Sequence, residues 1–178
     1  MNKNVARILI SEEEIVKKSI ELGKQITEDY KNGKAPILVA LLKGSVPFLA
    51  ELIKHIDLDI EFDFMDVSSY EGTESIGDIK INKDLDRSVR NEKVLLVEDI
   101  IDTGRTLKTV TKLMKDKGAV DVKVVTLLDK PERREVDIEA DYVGFVIPNE
   151  FVIGYGLDFN QKYRNLPYVG VLKEECYK

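Results

Sequence analysis

Short apolar runs alternate with longer amphipathic segments along this chain. Runs of strand length lie at 37–42, 94–97, 122–128 and 142–147. Apolar residues recur at helical spacing after Pro47 and again between Leu107 and Gly118. Continuous apolar strands are typical of a sheet covered on both faces, and strand–helix–strand alternation favours parallel strands. The pattern therefore predicts an α/β fold, with a parallel sheet flanked by helices on both faces.

An amphipathic helix is predicted ahead of the first of these strands. Ser11 and Glu14 have the spacing of a capping box, in which a hydroxyl and a carboxylate bind the free amides of a helix start. One face then carries the apolar residues Ile15, Leu22, Ile26 and Tyr30. The helix should end near Asn32-Gly33.

The region after the second helix predicts two strands around a polar loop. Residues 60–67 alternate as in a half-buried strand, with Phe62 on the core side and Asp63 on the solvent side. The glycine-containing segment 68–77 favours a mobile loop. A short returning strand is indicated at 79–81.

Composition narrows the classes of protein that need to be considered. The 178 residues carry 27 Lys+Arg and 33 Asp+Glu, so the formal net charge is 27 − 33 = −6. This acidic balance argues against a nucleic-acid partner, which needs a basic face. Cys176 and His55 are the only residues of their types, which excludes a multi-cysteine or multi-histidine zinc site.

Neither a membrane span nor a secretion signal is expected. No run approaches the roughly 20 apolar residues that cross a bilayer. The first residues lack the long apolar stretch of a signal peptide, and acidic residues follow at 12–14. A lone cysteine also fits a reducing compartment, so we expect a cytoplasmic protein.

The strongest chemical signal is the segment 94–106, VLLVEDIIDTGRT. An apolar strand runs into Glu98 and Asp99, and a third acid precedes Thr-Gly-Arg-Thr at a helix start. Backbone amides, the threonine hydroxyls and the positive end of the helix dipole together form an anion-binding site. Gly104 lets the chain wrap closely around a phosphate. Adjacent carboxylates need a cation or a vicinal diol to compensate their repulsion. Ribose 5-phosphate offers a phosphate and a diol together. The alternative is that Asp102 or Thr103 simply caps the helix.

This segment resembles the diphosphate-sugar motif of the type I phosphoribosyltransferases, and its Glu-Asp-Ile-Ile-Asp-Thr-Gly form resembles the hypoxanthine- and guanine-using branch of that family. Three further segments match in order, so the resemblance covers nearly the whole chain. They are Leu42-Lys43-Gly44-Ser45, the run 126–131, and the run 151–158 followed by Tyr163-Arg164. In the family, a non-proline cis peptide before the lysine of the first segment is typical.

The resemblance implies a role for each matching residue. The ribose and phosphate of phosphoribosyl diphosphate would be bound by Glu98, Asp99, Thr103, Gly104, Arg105 and Thr106. Pyrophosphate would be bound by Lys43, Gly44 and Arg164, and the purine by Lys130, Phe151, Val152 and Asp158. Asp102 would accept a proton from the purine, Ser69 and Tyr70 would belong to a lid, and Glu98, Asp99 and Asp158 would be ligands of Mg²⁺.

Lys130 also has a physical reason for its implied role. A lysine ammonium can only donate hydrogen bonds, so it selects an oxo group over the amino group of adenine at the same ring position. Phe151 offers a flat face for stacking a base. A surface lysine and a core aromatic are the alternatives from residue type alone.

The resemblance implies purine salvage: transfer of the 5-phosphoribosyl group from phosphoribosyl diphosphate to N9 of hypoxanthine or guanine, giving IMP or GMP and pyrophosphate. It implies one domain over 1–178, with a core at about 35–147, a small hood from the terminal segments 1–15 and 148–178, and a lid at about 68–77. A homodimer or homotetramer is implied as well, with no nucleic-acid or membrane partner.

Two other classes remain as alternatives at this point. One is an RNA-binding regulator built on the same fold, similar to the pyrimidine-operon attenuators, although it would need a basic patch. The other is an α/β domain that binds phosphate without catalysis. The missing GxxxxGK[ST] and GxGxxG motifs argue against P-loop and dinucleotide-binding proteins.

Overall fold

A computed structural model describes residues 1–69 and 79–178. The strands are β1 (Val5–Ile10), β2 (Ile37–Leu41), β3 (Glu61–Ser69), β4 (Ile79–Lys83), β5 (Lys93–Ile101), β6 (Asp121–Asp129), β7 (Tyr142–Val146), β8 (Val152–Ile153) and β9 (Val169–Leu172). The α-helices are α1 (Glu12–Tyr30), α2 (Val46–Leu52) and α3 (Arg105–Asp116), and short 3₁₀ turns lie at Ile53–His55, Pro131–Arg133 and Glu174–Cys176.

Six strands form the main sheet in the order β4-β3-β2-β5-β6-β7. Strands β3, β2, β5, β6 and β7 are parallel, and β4 pairs antiparallel with β3 at the edge. Helices α1 and α2 pack on one face with Leu38 and Leu95, whereas α3 packs on the other with Val39 and Leu96. The predicted α/β fold, with helices on both faces of a parallel sheet, is confirmed.

The predicted start of α1 is also confirmed. Ser11 Oγ accepts from Glu14 N at 3.2 Å, and Glu14 Oε2 accepts from Ser11 N at 2.7 Å. The backbone N–H groups of Ser11 and Glu14 therefore both have hydrogen-bond acceptors, as a capping box requires. The helix ends at Tyr30, two residues before the predicted Asn32-Gly33.

The predicted facing of β3 is wrong. Asp63 is 7% exposed, whereas Phe62 is 51% exposed. The carboxylate of Asp63 accepts from Asp86 N at 2.8 Å and lies 3.6 Å from Lys83 Nζ. Because the end of β4 and the residues after it supply these donors, a charged side chain is buried at this position. The alternation of residue types therefore misassigns the core face.

A second sheet joins the two ends of the chain. Its three strands are antiparallel in the order β1-β9-β8, with Val5 opposite Leu172 and Val152 opposite Val171. This sheet carries Phe151 and Val152, which thereby lie beyond the carboxyl edge of the main sheet. Within the described residues, no helix has the length and apolar character to cross a membrane.

Candidate active site

The turn after β5 is the centre of the site. Strand β5 continues to Ile101, so Glu98 and Asp99 belong to its last residues rather than to the loop that follows. Gly104 lies at the N-cap of α3 with φ +81°, and a Cβ there would come within 2.5 Å of Ile138 Cγ2. A left-handed, closely packed position of this kind favours glycine. The first amides of α3 therefore point toward the carboxyl edge of the sheet, where an anion can bind.

A first cavity of about 320 Å³ opens at this turn. Nine predicted site residues line it: Lys43, Gly44, Glu98, Asp99, Asp102, Thr103, Gly104, Thr106 and Arg164. The remaining walls are apolar and come from Leu41, Leu42, Val67, Ile100, Ile101 and Leu107. The fold thus brings four separate segments of the sequence to one cavity, three of which supply its polar residues.

The two carboxylates at the end of β5 are held in an unfavourable environment. Burial raises the pKa of Glu98 well above its ordinary value, and the charge of Asp99 raises it further. Burial raises the pKa of Asp99 to about 6, against the lowering effect of hydrogen bonds from the backbone and of the Arg164 charge. Asp158 raises it as well. No ion pair reaches the Glu98 side chain from the described residues, so a bound cation or diol would compensate this pair.

The loop after β2 packs directly against Asp99. The peptide between Leu42 and Lys43 is cis, as is typical of the family that the sequence resembles. A Cβ on Gly44 would lie 1.8 Å from Asp99 Oδ2, and one on Gly156 would lie 1.9 Å from Gly44 O. Only glycine leaves room for these two contacts. The backbone of this loop is thereby exposed to the cavity beside the acidic pair.

Arg164 closes the same side of the cavity. Its guanidinium donates to Gly156 O at 2.7 Å and to Gln161 Oε1 at 3.1 Å, and it lies 3.1 Å from Asp158 Oδ1. Its Nε is buried and has no hydrogen-bond partner among the described residues. This unpartnered N–H donor of Arg164 is suited to an anion bound in the cavity.

A second cavity, of about 420 Å³, lies beside the first. Five predicted residues line it: Asp102, Lys130, Phe151, Val152 and Asp158. Lys130 is 7% exposed, and its ammonium makes no hydrogen bond or ion pair within 1–69 and 79–178. Burial lowers its pKa, partly offset by the charge of Asp102. A donor that faces a cavity without a protein partner is suited to an acceptor on a ligand.

Aromatic rings form one wall of the second cavity. Phe151 is stacked on Tyr177, with ring centroids 5.0 Å apart and planes inclined by 23°. It also meets Phe159 edge to face at 5.6 Å. Phe151 is therefore held in place while 38% of its surface stays exposed for a planar ligand.

Asp102 and Ile100 line both cavities. The carboxylate of Asp102 accepts from Arg133 Nε at 3.1 Å. A group bound in one cavity therefore meets a group bound in the other beside this carboxylate. A carboxylate at this position can accept a proton from a group bound in either cavity.

The structure does not assemble the three predicted metal ligands into one cluster. In the described part of the chain, no three Asp, Glu, His or Cys side chains are placed to hold a metal ion together. Asp158 instead pairs with Arg164 and accepts from Gln161 N at 2.8 Å. Any metal here would be held by one or two carboxylates together with ligand oxygens.

Two further predicted residues lie away from the cavities. The side chain of Arg105 pairs with Glu135, and its backbone amide donates to Thr103 Oγ1 at 3.4 Å. Ser69 ends β3, opposite Ile79, and is exposed. Tyr70 and most of the predicted lid lie outside the described residues.

The second cavity also contains residues that the sequence did not single out. They are Ile100, Arg133, Asn149, Glu150, Leu157 and Tyr177. Arg133 follows Lys130 within one short turn and could have been found by that proximity. Tyr177 carries no local signal, because only the pairing of β9 with β1 and β8 brings the C-terminal segment to Phe151.

Comparison with known proteins agrees with this geometry. Residues 8–160 match the model of a family described as phosphoribosyl transferase domain. The chain therefore belongs to the phosphoribosyltransferase family. Within that family, it is 58% identical to the hypoxanthine-guanine phosphoribosyltransferase of Lactococcus lactis subsp. lactis (strain IL1403), over 99% of this chain and 96% of that protein.

Other relatives point the same way. The hypoxanthine-guanine phosphoribosyltransferase of Streptococcus thermophilus (strain CNRZ 1066) is 59% identical, over 99% of this chain and 98% of that protein. A crystal structure of a hypoxanthine phosphoribosyltransferase from Staphylococcus aureus superposes with a TM-score of 0.94 at 52% identity, covering 98% of this chain and 95% of that one. The resemblance read from the sequence is thereby confirmed.

Proposed function

We propose that the chain is a purine-salvage transferase that moves the 5-phosphoribosyl group from phosphoribosyl diphosphate to N9 of hypoxanthine or guanine. The products are IMP or GMP and pyrophosphate. The observation that carries the proposal is the meeting of two cavities at Asp102, one with anion-binding features and one with an aromatic wall and an unpartnered lysine. The names of the close relatives support the same activity.

The first cavity suits the sugar diphosphate. Thr103, Gly104 and Thr106, with the first amides of α3, would hold the 5-phosphate. The ribose hydroxyls would face Glu98 and Asp99. A separate group of residues would hold the pyrophosphate: Lys43, the Gly44 backbone and Arg164, whose planar fork and unpartnered Nε match phosphate oxygens. Arg105 would contribute through its amide, because its side chain is engaged by Glu135.

The second cavity suits a 6-oxopurine. Lys130 would donate to the oxo group, and Phe151 would stack against the ring. The Val152 backbone and Asp158 would lie along the opposite edge of the base. An adenine in the same position would set its amino group against the Lys130 ammonium, leaving two donors without acceptors in a buried site.

Asp102 would act between the two substrates. Its carboxylate accepts the proton of the purine imidazole ring, and the N9 lone pair forms the bond to carbon 1 of the sugar. The carbon–oxygen bond to pyrophosphate breaks at the same time, and its electron pair leaves with the pyrophosphate. Exclusion of water is needed while carbon 1 is electron-deficient. The lid role of Ser69 and Tyr70 stays a prediction.

The donors present suit Mg²⁺. Glu98 and Asp99 offer carboxylate oxygens that form no ion pair among the described residues, and Asp158 lies near enough to influence the pKa of Asp99. Magnesium favours one or two carboxylates plus phosphate oxygens, and when bound it would neutralise charge on the diphosphate. We therefore propose Glu98, Asp99 and Asp158 as its protein contacts, some of them through water.

A spectrophotometric assay tests the proposed function. The protein is mixed with Mg²⁺, phosphoribosyl diphosphate and one purine at a time, and nucleotide formation is followed in the ultraviolet. We expect turnover with hypoxanthine and guanine and little or none with adenine. Absence of any nucleotide, or equal turnover of adenine, would contradict the proposal.

A further inference from the structure

One segment after β6 holds the backbone of the turn after β5. Three carbonyls of that turn accept hydrogen bonds from residues 130–135. Lys130 N donates to Ile101 O at 2.9 Å, the Arg134 guanidinium donates to Asp102 O at 3.0 Å, and Glu135 N donates to Thr103 O at 3.0 Å. The backbone around Asp102 is therefore fixed, and its side chain needs a partner of its own to be fixed as well.

Arg133 supplies that partner. Its Nε donates to Asp102 Oδ1 at 3.1 Å, and no other side chain in the described residues binds this carboxylate. The backbone of Arg133 is itself held by the 3₁₀ turn, where its N–H donates to Lys130 O at 3.1 Å. Both Arg133 and Asp102 line the second cavity. One carboxylate oxygen is thus engaged, while the other is left to a ligand.

The pair contributes little to the stability of the fold. The side chains of Arg133 and Asp102 are 48% and 42% exposed. Ion pairs at this exposure are screened by solvent and add little to the free energy of folding. Orientation of the carboxylate, rather than stability, is therefore the effect that the geometry favours.

The charged side chains around Asp102 include both cations and carboxylates. Lys130 and Arg133 are cations of the second cavity, and Glu150 and Asp158 are carboxylates that line it. Two further charges lie nearby: Arg134, on the segment after β6, is paired with Asp129, and Arg105, at the start of α3, is paired with Glu135. Arg133 is the one cation of this set bonded to the Asp102 carboxylate.

We propose that Arg133 is a positioning residue that orients the carboxylate of Asp102 toward the purine. The inference rests on the proposed function, because it assigns Arg133 a part in the proton transfer from the purine. It is the arrangement in which a base is oriented by a third group. Arg133 itself acts through Asp102 and needs no contact with the reacting atoms.

The test compares Arg133→Gln and Arg133→Lys with the unaltered protein at saturating phosphoribosyl diphosphate. For Arg133→Gln we expect kcat with hypoxanthine to fall roughly tenfold and the KM for hypoxanthine to change less than twofold. Arg133→Lys keeps the charge and a donor without the planar fork. Part of kcat should therefore be recovered in Arg133→Lys, again with little change in KM.

Arg90→Gln is the matched control, because Arg90 is an exposed arginine without an ion pair in the described part of the chain. It should leave kcat and KM unchanged. Unchanged kcat in Arg133→Gln would overturn the proposal, and a raised KM with unchanged kcat would indicate direct purine binding instead. Inactivity of the unaltered protein would instead refute the proposed function itself, and this inference with it.

Discussion

At the scale of single residues, Lys130 is the side chain on which base selection depends. We predict that Lys130→Gln lowers kcat/KM for hypoxanthine by roughly 100-fold or more, because a shorter, neutral amide that accepts as well as donates replaces the ammonium that donates to the oxo group. Steady-state kinetics at saturating phosphoribosyl diphosphate measure the change. Lys108→Gln, at an exposed lysine of α3, is the control. Equal kcat/KM in both variants would remove Lys130 from the purine site.

Asp102 gives a second prediction at this scale. Asp102→Asn should lower kcat by roughly 100-fold or more, because an amide cannot accept the proton. Binding of phosphoribosyl diphosphate, measured by calorimetry, should change little, since the carboxylate is not among the proposed phosphate contacts. Asp59→Asn, at an exposed aspartate, should change neither quantity. Unaltered turnover in Asp102→Asn would favour a phosphate-binding domain without catalysis.

The sequence predicts site residues where chemistry is encoded in a contiguous motif. The acids and the Thr-Gly turn after β5 are of this kind, and nine predicted residues meet in one cavity. Arg133 and Tyr177 are different, since their place depends on tertiary packing of a turn and of the C-terminal segment. The burial of Asp63 has the same origin, because its partners Lys83 and Asp86 lie on another segment.

At the scale of elements, the end of β5 makes stability depend on pH. Burial raises the pKa of Asp99 from 3.8 to about 6, so the folded chain binds a proton that the unfolded chain releases in this interval. The contribution of Asp99 to the free energy of unfolding of the ligand-free protein therefore falls as pH rises from about 4 to about 6. Above that range the carboxylate is ionised and is best stabilised by a bound cation.

We accordingly predict a larger rise in Tm on adding Mg²⁺ and phosphoribosyl diphosphate at pH 8 than at pH 5. Differential scanning fluorimetry measures both values. Asp99→Asn controls for titration of the ligand's own phosphates and should reduce the difference between the two pH values. An equal rise in Tm at both values, in both proteins, would show that these carboxylates do not take part in binding.

The contact between two loops gives another prediction at this scale. Gly156 has φ +98°, and a Cβ there would lie 1.9 Å from Gly44 O. Gly156→Ala should therefore push the loop after β2 away from Arg164 and destabilise the fold by about 1–3 kcal/mol. Chemical denaturation measures the loss, and Gly33→Ala, where a Cβ has room, is the control. Equal stability of the two variants would contradict this packing.

Element types follow from the sequence, and element ends depend on the neighbours. Strand β5 extends beyond its apolar run because Ile100 and Ile101 pair with Leu128 and Asp129 of β6. The carboxylates are thus fixed on a strand rather than placed in a flexible turn. The apolar pattern alone ends this strand at Val97, so their rigid placement could not be predicted from it.

At the scale of the whole molecule, we propose a homodimer or homotetramer of the 20.2 kDa chain. Exposed apolar side chains such as Phe62 are consistent with self-association. Light scattering coupled to size exclusion should give about twice or four times the mass of one chain, whereas a single-chain mass at micromolar concentration would contradict the proposal.

We further propose a cytoplasmic location, which suits a chain with a single cysteine.

The central claim is that the two cavities hold the two substrates on either side of Asp102. A crystal structure of Asp102→Asn with Mg²⁺, phosphoribosyl diphosphate and hypoxanthine tests it most directly. The account predicts the 5-phosphate at Thr103–Thr106, the base on Phe151 with its oxo group at Lys130, and N9 facing carbon 1 of the sugar. A sugar diphosphate bound elsewhere, with the turn after β5 empty and Glu98 and Asp99 facing away, would contradict it.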